Sequence, residues 1–185
     1  MAAVLQSFGV GKGDRVQIYM PMIAEAAFAM LACVRLGAIH SVVFGGFASV
    51  SLASRIDDAQ PKVVISADAG SRGGKAIAYK PLLDEALQLA KHKPAAVLLV
   101  DRGLAPMPLQ AGRDHLWSTL RTQPQFSEAK VPCTWLNSSD PSYILYTSGT
   151  TGKPKGVQRD TGGYAVALAS SMQHIFAGKA GQTFF

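Results

Sequence analysis

Apolar and polar positions alternate along this chain with two different periods. Met1–Phe8 carries apolar residues suited to a helix, without a capping residue, and Gly9 and Gly11-Lys12-Gly13-Asp14 break it. Arg15–Met20 (RVQIYM) alternates and holds Val, Ile and Tyr, the pattern of a strand. After Pro21, suited to a helix start, apolar residues recur at Ile23, Ala26, Ala27, Met30, Leu31 and Val34, which is helical spacing. The other face (Ala24, Phe28, Ala29, Ala32) is also mostly apolar, so this helix is expected to be buried on most sides, with Gly37 as its C-terminal cap. Ile39–Phe44 reads as the next strand, Ser49–Ala59 as a helix and Lys62–Ser66 as a short strand. Leu82–Lys91 follows as a helix and Ala96–Val100 (AVLLV) as a strand. Continuous apolar strands separated by helices predict an α/β fold, a mostly parallel sheet with helices on both faces and right-handed crossovers.

The pattern then loosens. Leu104–Asp114 is rich in Pro and Gly, and Gln123–Asp140 is largely polar, so both read as surface connections with one short helix between them. Tyr143–Tyr146 (YILY) returns to strand, Gly163–Phe176 to helix, and Thr183-Phe184-Phe185 to the inside of another strand. Both ends read as cut, because an open parallel sheet ending in aromatics leaves edges that proteins normally cover. No internal repeat or low-complexity tract interrupts the alternation.

Composition sharpens this picture. Of 185 residues, 48% are hydrophobic and only 16% charged, which argues for an ordered, well-buried chain. The net charge of +6 could serve nucleic acid, but the basic residues are scattered, with no Lys/Arg run and no aromatic-basic stripe. A small polyanion such as a nucleotide suits the same charge. Cys33 and Cys133 form no CxxC pair, and Cys33 lies in an apolar helical pattern as a core residue would. His40, His92, His115 and His174 show no metal-ligand spacing, so no protein-held metal is expected. No basic leader precedes the first apolar residues, and no run approaches the ~20 residues needed to span a bilayer. The chain therefore reads as soluble and cytoplasmic, without a membrane partner.

The chemistry is concentrated in Thr147-Ser148-Gly149-Thr150-Thr151-Gly152-Lys153-Pro154-Lys155-Gly156, with four hydroxyls, three glycines and two lysines. Glycines let backbone N–H groups approach a ligand, hydroxyls donate to phosphate oxygens, and lysines supply compact positive charge. The alternative is a solvated Ser/Thr/Gly loop that binds nothing. The spacing is not that of a Walker P-loop, which needs four residues between its glycine and Gly-Lys, then Ser or Thr. Gly70-Ser71-Arg72-Gly73-Gly74-Lys75-Ala76 is one residue short of the same motif and ends in alanine.

YTSGTTGKPKGV, from Tyr146 to Val157, resembles the phosphate-loop signature of the adenylate-forming superfamily, which includes acyl-CoA synthetases, luciferases and peptide-synthetase adenylation domains. IYMPM at Ile18–Met22, MLACVRLGAIHSVVFGGF at Met30–Phe47 and GGYAVALA at Gly162–Ala169 are similar to the acetyl- and propionyl-CoA synthetase group. GKPKGVQRDTGGY at Gly152–Tyr164 resembles the propionate–CoA ligases most. The resemblance spans about Val10 to Phe185. It implies that residues 1–185 are an incomplete part of the large N-terminal AMP-binding domain, with the C-terminal domain absent.

That resemblance implies ATP, Mg²⁺ and CoA as cofactors and a short-chain carboxylate as substrate. It places Thr147, Ser148, Gly149, Thr150, Thr151, Gly152, Lys153, Lys155 and Gly156 around the ATP phosphates, with Lys155 and Thr147 as the candidate catalytic residues. Mg²⁺ would come bound mainly through the nucleotide. Arg72, Gly73, Gly74 and Lys75 match a stretch that contacts the CoA nucleotide phosphates. Lys75 stands where many relatives have arginine, which keeps the charge but weakens bidentate contact. A solvated basic turn is the other reading of those four residues. Gly45 and Gly46, at the end of a predicted strand, are implied near CoA, with a tight structural turn as the alternative. The adenine, ribose and acyl-pocket contacts of the family fall beyond Phe185. An inactive portion of a ligase, a phosphate-binding module and a remnant of a broken reading frame therefore all stay open.

Overall fold

The computed structural model describes residues 1–147 and 154–183. The main sheet has seven strands: β1 (Arg15–Met20), β2 (Ile39–Phe44), β3 (Val63–Ala67), β6 (Ala96–Val100), β7 (Asp114–Leu116), β8 (Pro141–Thr147) and β9 (Lys155–Asp160). Their order is β7-β6-β3-β1-β2-β8-β9, parallel throughout except for the antiparallel pair β8–β9. A separate two-stranded hairpin, β4 (Ala69–Arg72) with β5 (Lys75–Ala78), follows β3. The longer helices are α2 (Ala24–Leu36), α3 (Ser49–Ala59), α4 (Tyr79–Leu89) and α7 (Thr161–His174). Shorter ones are α1 (Ala2–Ser7), α5 (Trp117–Leu120) and α6 (Pro124–Ser127).

The two sheet faces carry two cores, because successive strand residues point to opposite sides. Val16, Ile18, Val63, Ile65, Ala96 and Leu98 meet α1 and α2 on one face. Tyr19, Val43, Val64, Val97 and Leu99 meet α3 and α4 on the other. β1 connects outward to β2 on one side and β3 lies on its other side, so the connections diverge at the centre of the sheet. Ligands of open α/β sheets lie outside the carboxyl ends of the strands at such a divergence.

The expected alternation, parallel sheet and helices on both faces are all present. α2 departs from expectation in its burial. Its buried stripe is Ala26, Ala29, Ala32, Cys33 and Leu36, whereas Phe28, Leu31 (67% exposed) and Val34 face outward. A helix apolar all round gives its periodicity no contrast, and the small residues win the sheet side because they allow close approach. Gly37 caps α2 at φ 66°, as its sequence position implied, with the Ala38 N–H reaching Cys33 O at 2.9 Å. Cys33 is a core residue, its thiol pushed up to about 12 by burial.

Other differences are local. α2 begins at Ala24 and not at Pro21, and α4 begins at Tyr79 and not at Leu82. Asp114, read as the end of a loop, opens β7, and the stretch read as a polar connection contains α6. Asp114 belongs there because Lys80, only 1% exposed, needs an anion: it pairs with Asp114 at 3.1 Å and with Asp84, and Arg113 also contacts both carboxylates. Burial alone would raise the Asp114 pKa, but Arg113, the Gln110 N–H and Lys80 together hold it below the usual carboxylate range. Of the strand expected at Thr183–Phe185, the two phenylalanines lie outside the described residues.

Candidate active-site cleft and phosphate hairpin

A cleft of about 500 Å³ opens at the carboxyl edge of the sheet. Met20 ends β1, Phe44 ends β2 and Arg72 ends β4; Gly45, Tyr79 and Arg102 complete its polar and close-packed wall, and Leu145 of β8 closes one side. The site-forming loops are tied together by Asp68, fully buried just after β3. Its carboxylate accepts the N–H groups of Ala69 (2.7 Å), Leu104 (2.7 Å) and Ala105 (3.3 Å), joining the hairpin root to the loop after β6. Arg102 donates to Ala69 O at 3.0 Å and reinforces the same junction.

Tyr79 occupies the floor. It is the first residue of α4, 5% exposed, and its ring lies 5.1 Å from that of Tyr19. Gly45 and Gly70 flank it: a Cβ at either would sit 2.6 Å from the Tyr79 Cζ. Neither glycine can become alanine without moving the ring. Burial raises the Tyr79 pKa, with the Arg102 charge opposing, so the phenol is neutral at ordinary pH. The loop after β2 is anchored from below, where the Tyr19 hydroxyl donates to Phe47 O at 3.1 Å.

Of the predicted CoA contacts, the fold brings Gly45 and Arg72 into this one cleft. Gly73 and Gly74 form the hairpin turn between β4 and β5 with φ of 57° and 77°, a two-residue turn of positive φ that glycine suits. Lys75 faces Arg72 across that turn in the strand register, and both are exposed. Gly46 takes φ of 106° on the same loop as Gly45. The Gly70–Ala76 stretch is thus a strand–turn–strand, which no P-loop adopts.

The predicted phosphate loop enters the described residues at its two ends, in the antiparallel strands β8 and β9. Thr147 ends β8, Lys155 begins β9, and the two are register partners, with Gly156 opposite Tyr146. Ser148, Gly149, Thr150, Thr151, Gly152 and Lys153 lie outside the described residues. Leu145, two residues before Thr147, lines the cleft, so the hairpin rises from the cleft's own rim.

α3 grips the hairpin base with residues that motif reading missed. The Tyr146 hydroxyl donates to Asp58 Oδ2 at 2.6 Å, and burial followed by the Asp58 charge pushes the Tyr146 pKa up. The Arg55 guanidinium sits 4.7 Å from the Phe47 ring centre and 5.3 Å from that of Tyr146. Gly156 allows this packing, since a Cβ there would lie 3.1 Å from Tyr146 Cε1 and 3.3 Å from Asp58 Oδ2. Arg102 had a readable signal, two residues past a buried parallel strand; Tyr79, Arg55 and Asp58 had none.

Among the described residues no group of three or more His, Cys, Asp or Glu side chains could hold a metal ion, and no helix is long and apolar enough to cross a membrane.

The family profile described as "AMP-binding enzyme" matches residues 1–185. Over 185 residues the chain is 64% identical to the propionate–CoA ligase of Escherichia coli (strain K12), covering 100% of this chain and 29% of that protein. It is 46% identical to the acetyl-coenzyme A synthetase of Pasteurella multocida, covering 28% of it. The solved acetoacetyl-CoA synthetase from Streptomyces lividans superimposes with a TM-score of 0.81 at 28% identity, over 93% of this chain and 25% of that one. The chain thus spans less than a third of the length of the relatives it matches.

Proposed function

The chain belongs to the AMP-binding enzyme family, and from that premise we propose that the protein carrying it ligates a short-chain carboxylate, propionate in our reading, to CoA through an acyl-adenylate. The observation that carries the reading is the 64% identity to a propionate–CoA ligase along the whole chain. The carboxylate oxygen attacks the α-phosphorus of ATP, the α–β phosphoanhydride bond breaks, and pyrophosphate leaves. The CoA sulfur then attacks the acyl carbon, its proton is lost, and AMP departs.

In this reading the β8–β9 hairpin holds the departing pyrophosphate. Thr147 and Lys155, opposed across the hairpin, direct a hydroxyl and an ammonium at the oxygens where charge grows as the bond breaks. Donors aimed there lower the barrier because they bind the transition state better than the ground state. Mg²⁺ would come bound mainly through the nucleotide. The cleft below, with Gly45 and Arg72 on its wall, would receive CoA.

Steady-state assay of the full-length protein with acetate, propionate and butyrate tests the assignment. We expect the highest kcat/KM with propionate, and Lys155→Ala to lower the ATP–pyrophosphate exchange rate about 10²- to 10³-fold, by analogy with loss of an oxyanion donor. The 185-residue segment alone is expected to form no adenylate. A preference for acetate would overturn the substrate assignment, and propionate-dependent exchange by the segment alone, abolished by Lys155→Ala, would overturn its expected inactivity.

A further inference from the structure

The two tyrosines beneath the cleft differ in one respect. The Tyr19 hydroxyl has a partner in Phe47 O at 3.1 Å, whereas the Tyr79 hydroxyl has none among the described residues. Tyr79 is 5% exposed as a residue, but its hydroxyl oxygen is not sealed from solvent, so a group entering the cleft can reach it. Its position is not loose. Gly45 presses from one side and Gly70 from the other, each so close that a Cβ would overlap the phenol. The open direction is the cleft, whose wall Tyr79 forms.

The surroundings define what the hydroxyl meets. Met20, Phe44, Ile77 and Leu145 make the cleft largely apolar, while Arg72 and Arg102 supply cations. Arg102 lies near enough for its charge to be felt at the phenol. A ligand matching this wall has a slim, mostly uncharged arm with hydrogen-bonding groups, joined to an anionic head. A neutral phenol can donate to an amide carbonyl or accept from an amide N–H, whereas it would add little to binding a phosphate beside two guanidinium groups.

We propose that the Tyr79 hydroxyl is a binding contact for the amide-bearing thiol arm of CoA, held in place by the Gly45–Gly70 clamp, while Arg72 serves the nucleotide end. The inference rests on the reading of the cleft as a CoA site. It makes Tyr79 a determinant of thiol affinity that acts on the arm and not on the nucleotide phosphates.

The test uses the full-length protein, with CoA and with 4′-phosphopantetheine, which has the thiol arm but no nucleotide. Tyr79→Phe is expected to raise KM for both thiols by the same factor, about five-fold for one lost neutral hydrogen bond, with kcat little changed. Arg72→Ala is expected to raise KM for CoA and leave that for 4′-phosphopantetheine unmoved. If Arg72→Ala acts in this way and Tyr79→Phe moves neither KM, the Tyr79 inference is overturned while the CoA cleft stands. If Arg72→Ala leaves the CoA KM unchanged, the CoA reading itself fails and takes the inference with it. A second measurement does not depend on how the phenylalanine variant folds: 3-fluorotyrosine placed at position 79 should shift its fluorine resonance on adding 4′-phosphopantetheine. No shift at saturation would also overturn the proposal.

Discussion

Strands β6 and β8 belong to one sheet and have similar apolar sequences, AVLLV and YILY at their centres, yet their surroundings differ completely. Every residue of β3 and β6 is buried, whereas none of β8, β9 or α7 is. The first region is held by two helical layers; the second is held by strand pairing and a few side-chain grips, and it carries the predicted phosphate loop. Within these 185 residues the fully buried strands and the strand that leads into the predicted phosphate loop are different ones, and hydrophobicity alone does not reveal which is which.

The largest expected effect tests that separation directly. Leu98→Ala, in the middle of β6, removes a fully buried side chain and should cost about 2–5 kcal/mol of unfolding free energy. Val166→Ala on α7, where the residue is 71% exposed, should stay within about 0.5 kcal/mol. Urea denaturation of the two variants compares them; equal losses would mean that the second region is as tightly packed as the first.

The seam between the regions lies at β2–β8, and it is expected to be sensitive to acid. His40 of β2 is the register partner of Tyr143 of β8, their rings stack at 5.6 Å, and the His40 Nδ1 is buried without a hydrogen bond. Burial lowers the His40 pKa from 6.5 to about 4. A folded-state pKa below the unfolded one means the neutral ring is favoured, so the stability is present above pH 6.5 and is lost as pH falls toward 4. The loss is on the order of 3 kcal/mol, since each tenfold difference in proton affinity between the folded and unfolded chain is worth about 1.4 kcal/mol. Unfolding followed across this window should show the slope in the parent and a flatter profile in His40→Gln. Identical slopes would mean that His40 is not the source of the acid sensitivity in this window.

What the sequence disclosed follows the same division. The continuous runs Val63–Ala67 and Ala96–Val100 were legible as buried parallel strands because both sides of each strand are covered, and Gly37 was legible because helix ends have their own chemistry. The exposed face of α2 was hidden, since Phe28 and Leu31 look like core residues in any linear pattern. At the site, the Thr147–Gly156 composition announced a phosphate loop because that density of glycine, hydroxyl and lysine is unusual for a simple turn. Its supports were silent: Tyr79 reads as an ordinary helix residue until the fold brings Gly45 and Gly70 against it from 34 and 9 positions away. Asp58 and Arg55 likewise sit on α3, far along the chain from the Tyr146 they hold.

The smallest effect concerns that grip, and it separates positioning from stability. The Tyr146 hydroxyl bonds Asp58 Oδ2 at 2.6 Å on the partly exposed side of the hairpin, one residue before Thr147. Tyr146→Phe keeps the ring against Arg55 and removes only the hydroxyl, so the global cost should be about 1 kcal/mol or less, the ordinary net worth of one hydrogen bond. The two buried layers do not touch this bond, and the unfolding midpoint should scarcely move. The described strands β8 and β9, in contrast, have no buried residue to hold the hairpin base once α3 lets go. Amide exchange along β9, from Lys155 to Asp160, should therefore quicken several-fold, while exchange along β3 and β6 stays as it was. In the full-length protein KM for ATP should rise with it, because Thr147 and Lys155 would no longer be held at one spacing. If β9 and β6 exchange both stay unchanged, strand pairing with β8 holds the hairpin by itself, and the α3 contact is packing without a positioning role.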